Sequence, residues 1–213
     1  MSILVNHKLI DKTYLVPSII DTTAAIAAGA TYTVTPLVTP TAGNLLIISA
    51  GGTQTRTLTT SPAGFTLLTT MGGGGGGTQA LWWKVATGSE PANYSIVWGA
   101  ILAGGWDIME IKDTDIISPI DFQIGGNVIA GTSLALTSYN VTRPGLAFTC
   151  VSKTLTTNWT SDNGTTNLSG AGEHKRSYKI YSSVINNEII TWSGPSQNVI
   201  ADLIYIKGRQ IGQ

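Results

Sequence analysis

The residue types that do chemistry are scarce in this 213-residue chain, and their spacing does not bring them together. There are two histidines, His7 and His174, and one cysteine, Cys150. Neither histidine has a His, Cys, Asp or Glu neighbour at the short spacings that build a metal site from local sequence. A serine or cysteine nucleophile needs a positioned base, and no local stretch supplies one. Asp107, Glu110, Asp113 and Asp115 form an acidic group whose chemistry would be that of a carboxylate pair or a Ca²⁺ site. Asp107 and Lys112, however, recur 95 residues later as Asp202 and Lys207, while Glu110 gives way to Tyr205 and Asp113 to Gly208. A pair present twice serves architecture better than it serves one catalytic centre. The sequence therefore assigns no catalytic, cofactor-binding or metal-ligating residue, and the expectation is a protein that is not an enzyme.

The six tryptophans are the other residues with chemical potential. Trp82 and Trp83 are adjacent in a strand-like run, so their rings face opposite ways and one is expected to point outward. An outward indole stacks on a sugar or meets a partner protein, which makes Trp82 and Trp83 the candidate glycan or partner contacts. Trp98 and Trp192, 94 residues apart, fall at matching places in two similar stretches and are expected in the core.

Those two stretches organise the chain. Gly43–Ala50, Gln79–Val85, Tyr94–Gly99 and Trp106–Lys112 are followed in the same order by Gly145–Ser152, Arg176–Ser182, Glu188–Gly194 and Ala201–Lys207. Short runs rich in Val, Ile, Thr, Tyr and Trp, punctuated by Gly, Pro, Asn and Ser, predict many short strands. We expect an all-β, jelly-roll-like β-sandwich over 21–213, built from two related halves, 36–121 and 122–213. Thr31–Thr35 alternates and should have one wet face. Leu45–Ile48 and Leu203–Ile206 are continuous and should be buried on both faces. Ala24–Ala28 reads as one helical turn, stopped by Gly29. Gly72–Gly77 lacks the Lys and Ser/Thr of a phosphate cradle and precedes a strand, so it reads as a hairpin tip. Its counterpart, 162–172, reads as a loop.

Residues 1–20 lie outside the repeat and read as an N-terminal arm or edge strand. Ile3, Leu4, Val5, Tyr14, Leu15 and Val16 are the candidate contacts with a sister subunit or a capsid, because exposed strand edges invite partner strands. Charged residues are 11% of the chain and the formal net charge is zero. So weakly charged a surface does little to keep copies apart, which points to a homo-oligomer, a trimer being one symmetric solution. Balanced charge excludes nucleic acid as the main partner, and no apolar run approaches the roughly 20 residues of a membrane span. A lone cysteine in an apolar run excludes an internal disulfide framework and fits a reducing cytoplasm. No basic segment precedes a hydrophobic stretch at the N-terminus, so a secretory leader is not expected.

Thr41–Ile47, Ser61–Leu68, Trp83–Trp98, Ser118–Asp121, Pro144–Phe148 and Ala201–Lys207 form a chain of spaced motifs, of which Trp-Lys-Val-Ala-Thr-Gly-Ser-Glu-Pro (83–91) is the most specific. With these motifs, over most of 36–207, the chain resembles a family of bacteriophage and prophage virion proteins. The resemblance implies a jelly-roll-type sandwich in tail-fibre, tail-associated or capsid-surface proteins and transfers no catalytic residue. A compact domain with an arm, lacking the further domains of a fibre, fits a capsid decoration (cement) protein. Its partners would be the major capsid protein or tail proteins, and its place the virion, assembled in the host bacterial cytoplasm. The alternative is a tail-fibre or adhesin module that binds host-surface carbohydrate, with no cofactor in either case.

Overall fold

The computed structural model describes residues 13–36, 38–72, 77–153, 159–161, 165–171 and 174–212. Six strands come from the first part of the chain: β1 (Ser18–Val34), β2 (Leu45–Gly52), β3 (Leu58–Thr60), β4 (Thr66–Gly72), β5 (Thr78–Val85) and β6 (Tyr94–Lys112). Eight follow: β7 (Ile120–Ala135), β8 (Tyr139–Val141), β9 (Gly145–Lys153), β10 (Thr160–Ser161), β11 (Thr166–Ala171), β12 (His174–Tyr181), β13 (Ile185–Glu188) and β14 (Thr191–Lys207). The first sheet runs β1-β6-β2-β5-β4, with β3 also on β6. The second runs β7-β14-β9-β12-β11, with β10 also on β14, and β8 pairs with β13 in a small separate sheet. Every pairing is antiparallel. Each large sheet thus comes from one contiguous stretch of chain, and the two pack together as a β-sandwich with one strand order used twice.

The period of two in a strand accounts for the layers. Leu45, Ile47, Leu81, Met109 and Ile111 of the first sheet meet Leu146, Phe148, Cys150, Ile204 and Ile206 of the second between the sheets. Their neighbours in sequence point the other way into two further cores. Ile48, Ala50, Trp82, Trp98, Trp106 and Ile108 lie outside the first sheet. Ala147, Val151, Trp192, Val199, Leu203 and Tyr205 lie outside the second. Both faces of the central strands are therefore dry, as the continuous runs at 45–48 and 203–206 predict. Thr31–Thr35 alternates as expected: Tyr32 and Val34 are buried, and the threonines are exposed.

Two expectations are corrected. Ala24–Ala28 is strand, not helix: β1 pairs residue by residue with β6 from Ala24↔Asp107 to Ala28↔Ala103, and that ladder outweighs the helical preference of alanine. Thr166–Ala171, within the stretch read as a loop, is β11 on the edge of the second sheet. Ser18 pairs with Lys112, so 18–20 open an edge strand of the sandwich, one of the two readings of 1–20. The stretch just before them is also tied to its own chain. Leu15 N–H donates to Arg209 O at 2.8 Å and Ile211 N–H to Thr13 O at 2.9 Å. Tyr14 bridges Gln210, with the Arg143 guanidinium 5.2 Å above its ring. Tyr14 and Leu15 are thus seated on the chain's own C-terminal segment, while Val16 is 37% exposed. Ile3, Leu4, Val5 and His7 lie outside the described residues.

Candidate functional site

The densest collection of chemical groups lies between the two sheets, at the polar end of the central core. Asp107 of β6 and Asp202 of β14 sit at corresponding places, the first opposite Ser49 of β2 and the second opposite Cys150 of β9. Both are fully buried, and each reaches across to the other sheet. Asp107 pairs with Arg176 of β12 at 3.1 Å, lies 3.5 Å from His174 Nε2 and accepts the Ser49 hydroxyl. Asp202 accepts Gln79 Nε2 of β5 at 2.9 Å and Gln123 Nε2 of β7 at 3.0 Å. His174 connects the two systems, with Nε2 2.7 Å from Ser49 Oγ and Nδ1 2.9 Å from Ser152 Oγ; Ser152 in turn donates to Gln79 Oε1 at 3.1 Å. Gly51 makes this possible, because a Cβ there would strike Ser152 Oγ and Thr78 O.

Serine, histidine and aspartate thus meet in space although nothing in their spacing says so. The order is not that of a catalytic triad. In a Ser-His-Asp triad serine takes Nε2 and the carboxylate Nδ1; here Ser152 and Asp107 take opposite nitrogens with that order exchanged, Ser152 on Nδ1 and Asp107 on Nε2, where Ser49 also lies. Ser49, Ser152 and Asp107 have no exposed surface and His174 has 1%. Proton counting agrees with this. Neutral imidazole has one N–H and can donate to only one of the two serines. Burial, with help from Arg176 and Lys175 against the pull of Asp107, holds His174 below its ordinary pKa. Burial pushes the Asp202 carboxyl up to about 6 against the lowering effect of Gln79 and Gln123. It also pushes the Cys150 thiol up, with the Asp202 and Asp107 charges adding to it, so the cysteine is a buried hydrophobe. What these groups do is fix the register and orientation of one sheet on the other.

The sequence-predicted tryptophans are placed differently from expectation. Trp82 is fully buried in the core outside the first sheet, with Nε1–H donating to Ser61 Oγ at 3.0 Å. It is therefore not available as a glycan platform, because the curled ends of β1 and β6 and the segment around β3 cover that face of the sheet. Trp83 points to the other face and is half-buried against the central core. The acidic group also disperses. Glu110 is buried and accepts Thr41 N–H at 2.9 Å and Asn44 Nδ2 at 2.5 Å. Asp115 pairs with Arg143 at 2.9 Å and caps Ile117 and Ser118 N–H at 3.0 Å each. Asp113 stands 3.7 Å from Arg209.

The most specific motif resolves into a structural joint. Glu90 has a completely buried side chain that accepts Lys84 Nζ and the Tyr94 hydroxyl at 2.5 Å each and Thr87 N–H at 2.7 Å. Burial alone would raise its pKa; the Lys84 charge and these bonds outweigh it and hold the carboxyl at about 2. Gly88 takes φ +83° at the turn. The motif 83–91 therefore encodes a locked turn around one carboxylate.

No known family, curated protein or solved structure matches this chain. Its function is accordingly read from geometry. The sequence held one legible signal for the buried layer, the recurrence of Asp107 as Asp202. Ser49, Gln79, Ser152 and Arg176 carried no signal, because each is an ordinary polar residue in an ordinary strand until the sheets are stacked.

Proposed function

We propose that this chain is a non-enzymatic structural subunit of a bacteriophage particle, acting as a capsid decoration protein. The observation that supports this reading best is the outer edge of β1. Among the described residues β1 pairs with β6 alone, so its other edge offers backbone donors and acceptors along 17 residues. Proteins protect such edges with lysine, proline or short length; from Ser18 to Val34 the sole charged residue is Asp21, and there is no proline. Ile20 is 48% and Ile26 73% exposed along the same strand. An edge of this length and apolarity suits a protein whose working state is an assembly, with copies of itself or with the capsid lattice. The burial of the Ser, His and Asp groups in a sheet-to-sheet joint supports a structural rather than a catalytic role.

Quantitative mass spectrometry of purified particles tests the location. Copy numbers on the order of hundreds support decoration of a symmetric lattice; a handful would move the protein to the tail. Ile26→Lys tests the edge. It should leave the fold intact and abolish incorporation, since charge on an exposed strand blocks edge pairing. Wild-type occupancy by that variant would reject β1 as the contact.

A further inference from the structure

Each large sheet ends in a long strand at the corresponding place in its strand order, β1 with 17 residues and β7 with 16. Among the described residues each of these strands pairs on one side only. They differ in where their apolar side chains go. Phe122 and Ile124 of β7 fold inward against the core outside the second sheet, alternating with exposed Asp121 and Gln123. On β1, Ile20 and Ile26 turn outward, Ile26 with 73% of its surface in water. An apolar side chain left in water beside an open strand edge is unfavourable for a lone molecule and favourable for a pair.

Between its two irregularities, at Ile19/Asp21 and Gly29/Thr31, β1 runs as an unbroken ladder on β6 from Asp21↔Glu110 to Gly29↔Leu102. The other edge of this stretch is a regular template for one more strand. Ile26 lies near its middle, with the small residues Ala24 and Ala28 beside it on the same face. We infer that the strand it takes is the β1 of a second copy, the two pairing antiparallel about a two-fold axis at Ile26. The two Ile26 side chains then cover one another, and Ala24 of each copy lies opposite Ala28 of the other. The two Asp21 carboxylates stand about 33 Å apart along the pair, so the sole charge of the strand never meets its like. β11, the outer strand of the second sheet, packs against β1 on this side and contains no charged residue, so it adds no repulsion. The inference rests on the reading of the β1 edge as the assembling surface and names its partner.

Two measurements on the purified full chain, with no other component present, test this pairing. Analytical ultracentrifugation over a concentration series should reach twice the mass of one chain. Ile26→Lys, which sets two ammonium groups face to face across the axis, should return it to the mass of one. Ile26→Cys should crosslink two copies under mild oxidation, because residues directly opposite in an antiparallel pair have Cα atoms about 4.5–5.5 Å apart, within disulfide reach. Asp21→Cys, the same chemistry at the far end of the stretch, should not crosslink. The native Cys150 is buried and does not compete. A monomer at every concentration, equal crosslinking at both positions, or a dimer that Ile26→Lys leaves intact would overturn the self-pairing. Monomeric protein combined with loss of Ile26→Lys from particles would overturn it while keeping the edge as a contact with the capsid. A dimer crosslinked through Ile26, with Ile26→Lys still entering particles at wild-type occupancy, would support the self-pairing and reject the edge as the particle contact.

Discussion

The two sheets share a strand order but not a chemistry. In corresponding places on their final strands, Asp107 meets a guanidinium, an imidazole and a hydroxyl, whereas Asp202 meets two amides. The first carboxylate is answered by a full positive charge. The second is answered by dipoles, and no cation pairs with it among the described residues, so burial carries its pKa to about 6. The tryptophans show the same pattern, the Trp192 N–H donating to Thr149 and the buried Trp98 N–H having no hydrogen-bond partner. The Lys–Glu pairs show it again. Lys84–Glu90 at 2.5 Å is wrapped by Thr87 and Tyr94, while Lys179–Glu188 at 2.7 Å keeps more exposure. The two sheets share a strand order, and the partner across the interface sets how each buried polar group is satisfied.

The largest effects should come from emptying the outer cores. Trp98→Ala and Trp192→Ala should each cost about 3–5 kcal/mol in denaturant unfolding. Near-zero cost for either would show that its sheet tolerates a void there. Arg176→Leu should follow, at about 3 kcal/mol, because it strands a buried carboxylate; Ser49 and His174 still face Asp107, which keeps the cost at the lower end. Removing Gln79 from Asp202 as Gln79→Leu should cost less, about 1–2 kcal/mol, since Gln123 remains. Equal costs would erase the distinction between a charged and a neutral cross-link.

The pH response separates the two systems further. Asp202 is raised in the folded state above its unfolded value of about 4. Its contribution is therefore fully present below about pH 4 and is lost as pH rises through about 6. His174 is lowered in the folded state, so its contribution is present above about pH 6.5 and is lost as pH falls through the depressed value. These opposed slopes are separated by comparing wild type with Asp202→Asn from pH 4 to 8. Relative to that variant, wild type should gain about 2–3 kcal/mol as pH falls across the window. A difference independent of pH would show Asp202 to be an ordinary carboxylate.

Smaller effects sharpen the comparison. Trp192→Phe should cost about 1 kcal/mol more than Trp98→Phe, because only Trp192 loses a hydrogen bond within the chain. Glu90→Gln should cost about 1–2 kcal/mol and Glu188→Gln under about 1 kcal/mol, as expected for a buried and a part-exposed ion pair. Urea midpoints measured at a common slope would resolve both differences.

By itself the sequence determined that this is a β-protein with dry central strands. The runs Leu45–Ile48 and Leu203–Ile206 read as strands buried on both faces, and the alternation at Thr31–Thr35 as a strand with one wet face. The spacing of Asp107 and Asp202, and of Trp98 and Trp192, led to the expectation of matching positions in two similar stretches. Side-chain direction and period are local properties of a strand, so they can be read locally. Tertiary structure decided everything that needs two strands distant in the chain. It made Ala24–Ala28 a strand through its ladder with β6, turned Trp82 inward, and tied Tyr14 and Leu15 to the C-terminal segment. It also brought His174 onto Ser49 across 125 residues of chain. Such contacts depend on how one sheet is laid on the other, and no spacing along either strand encodes that angle.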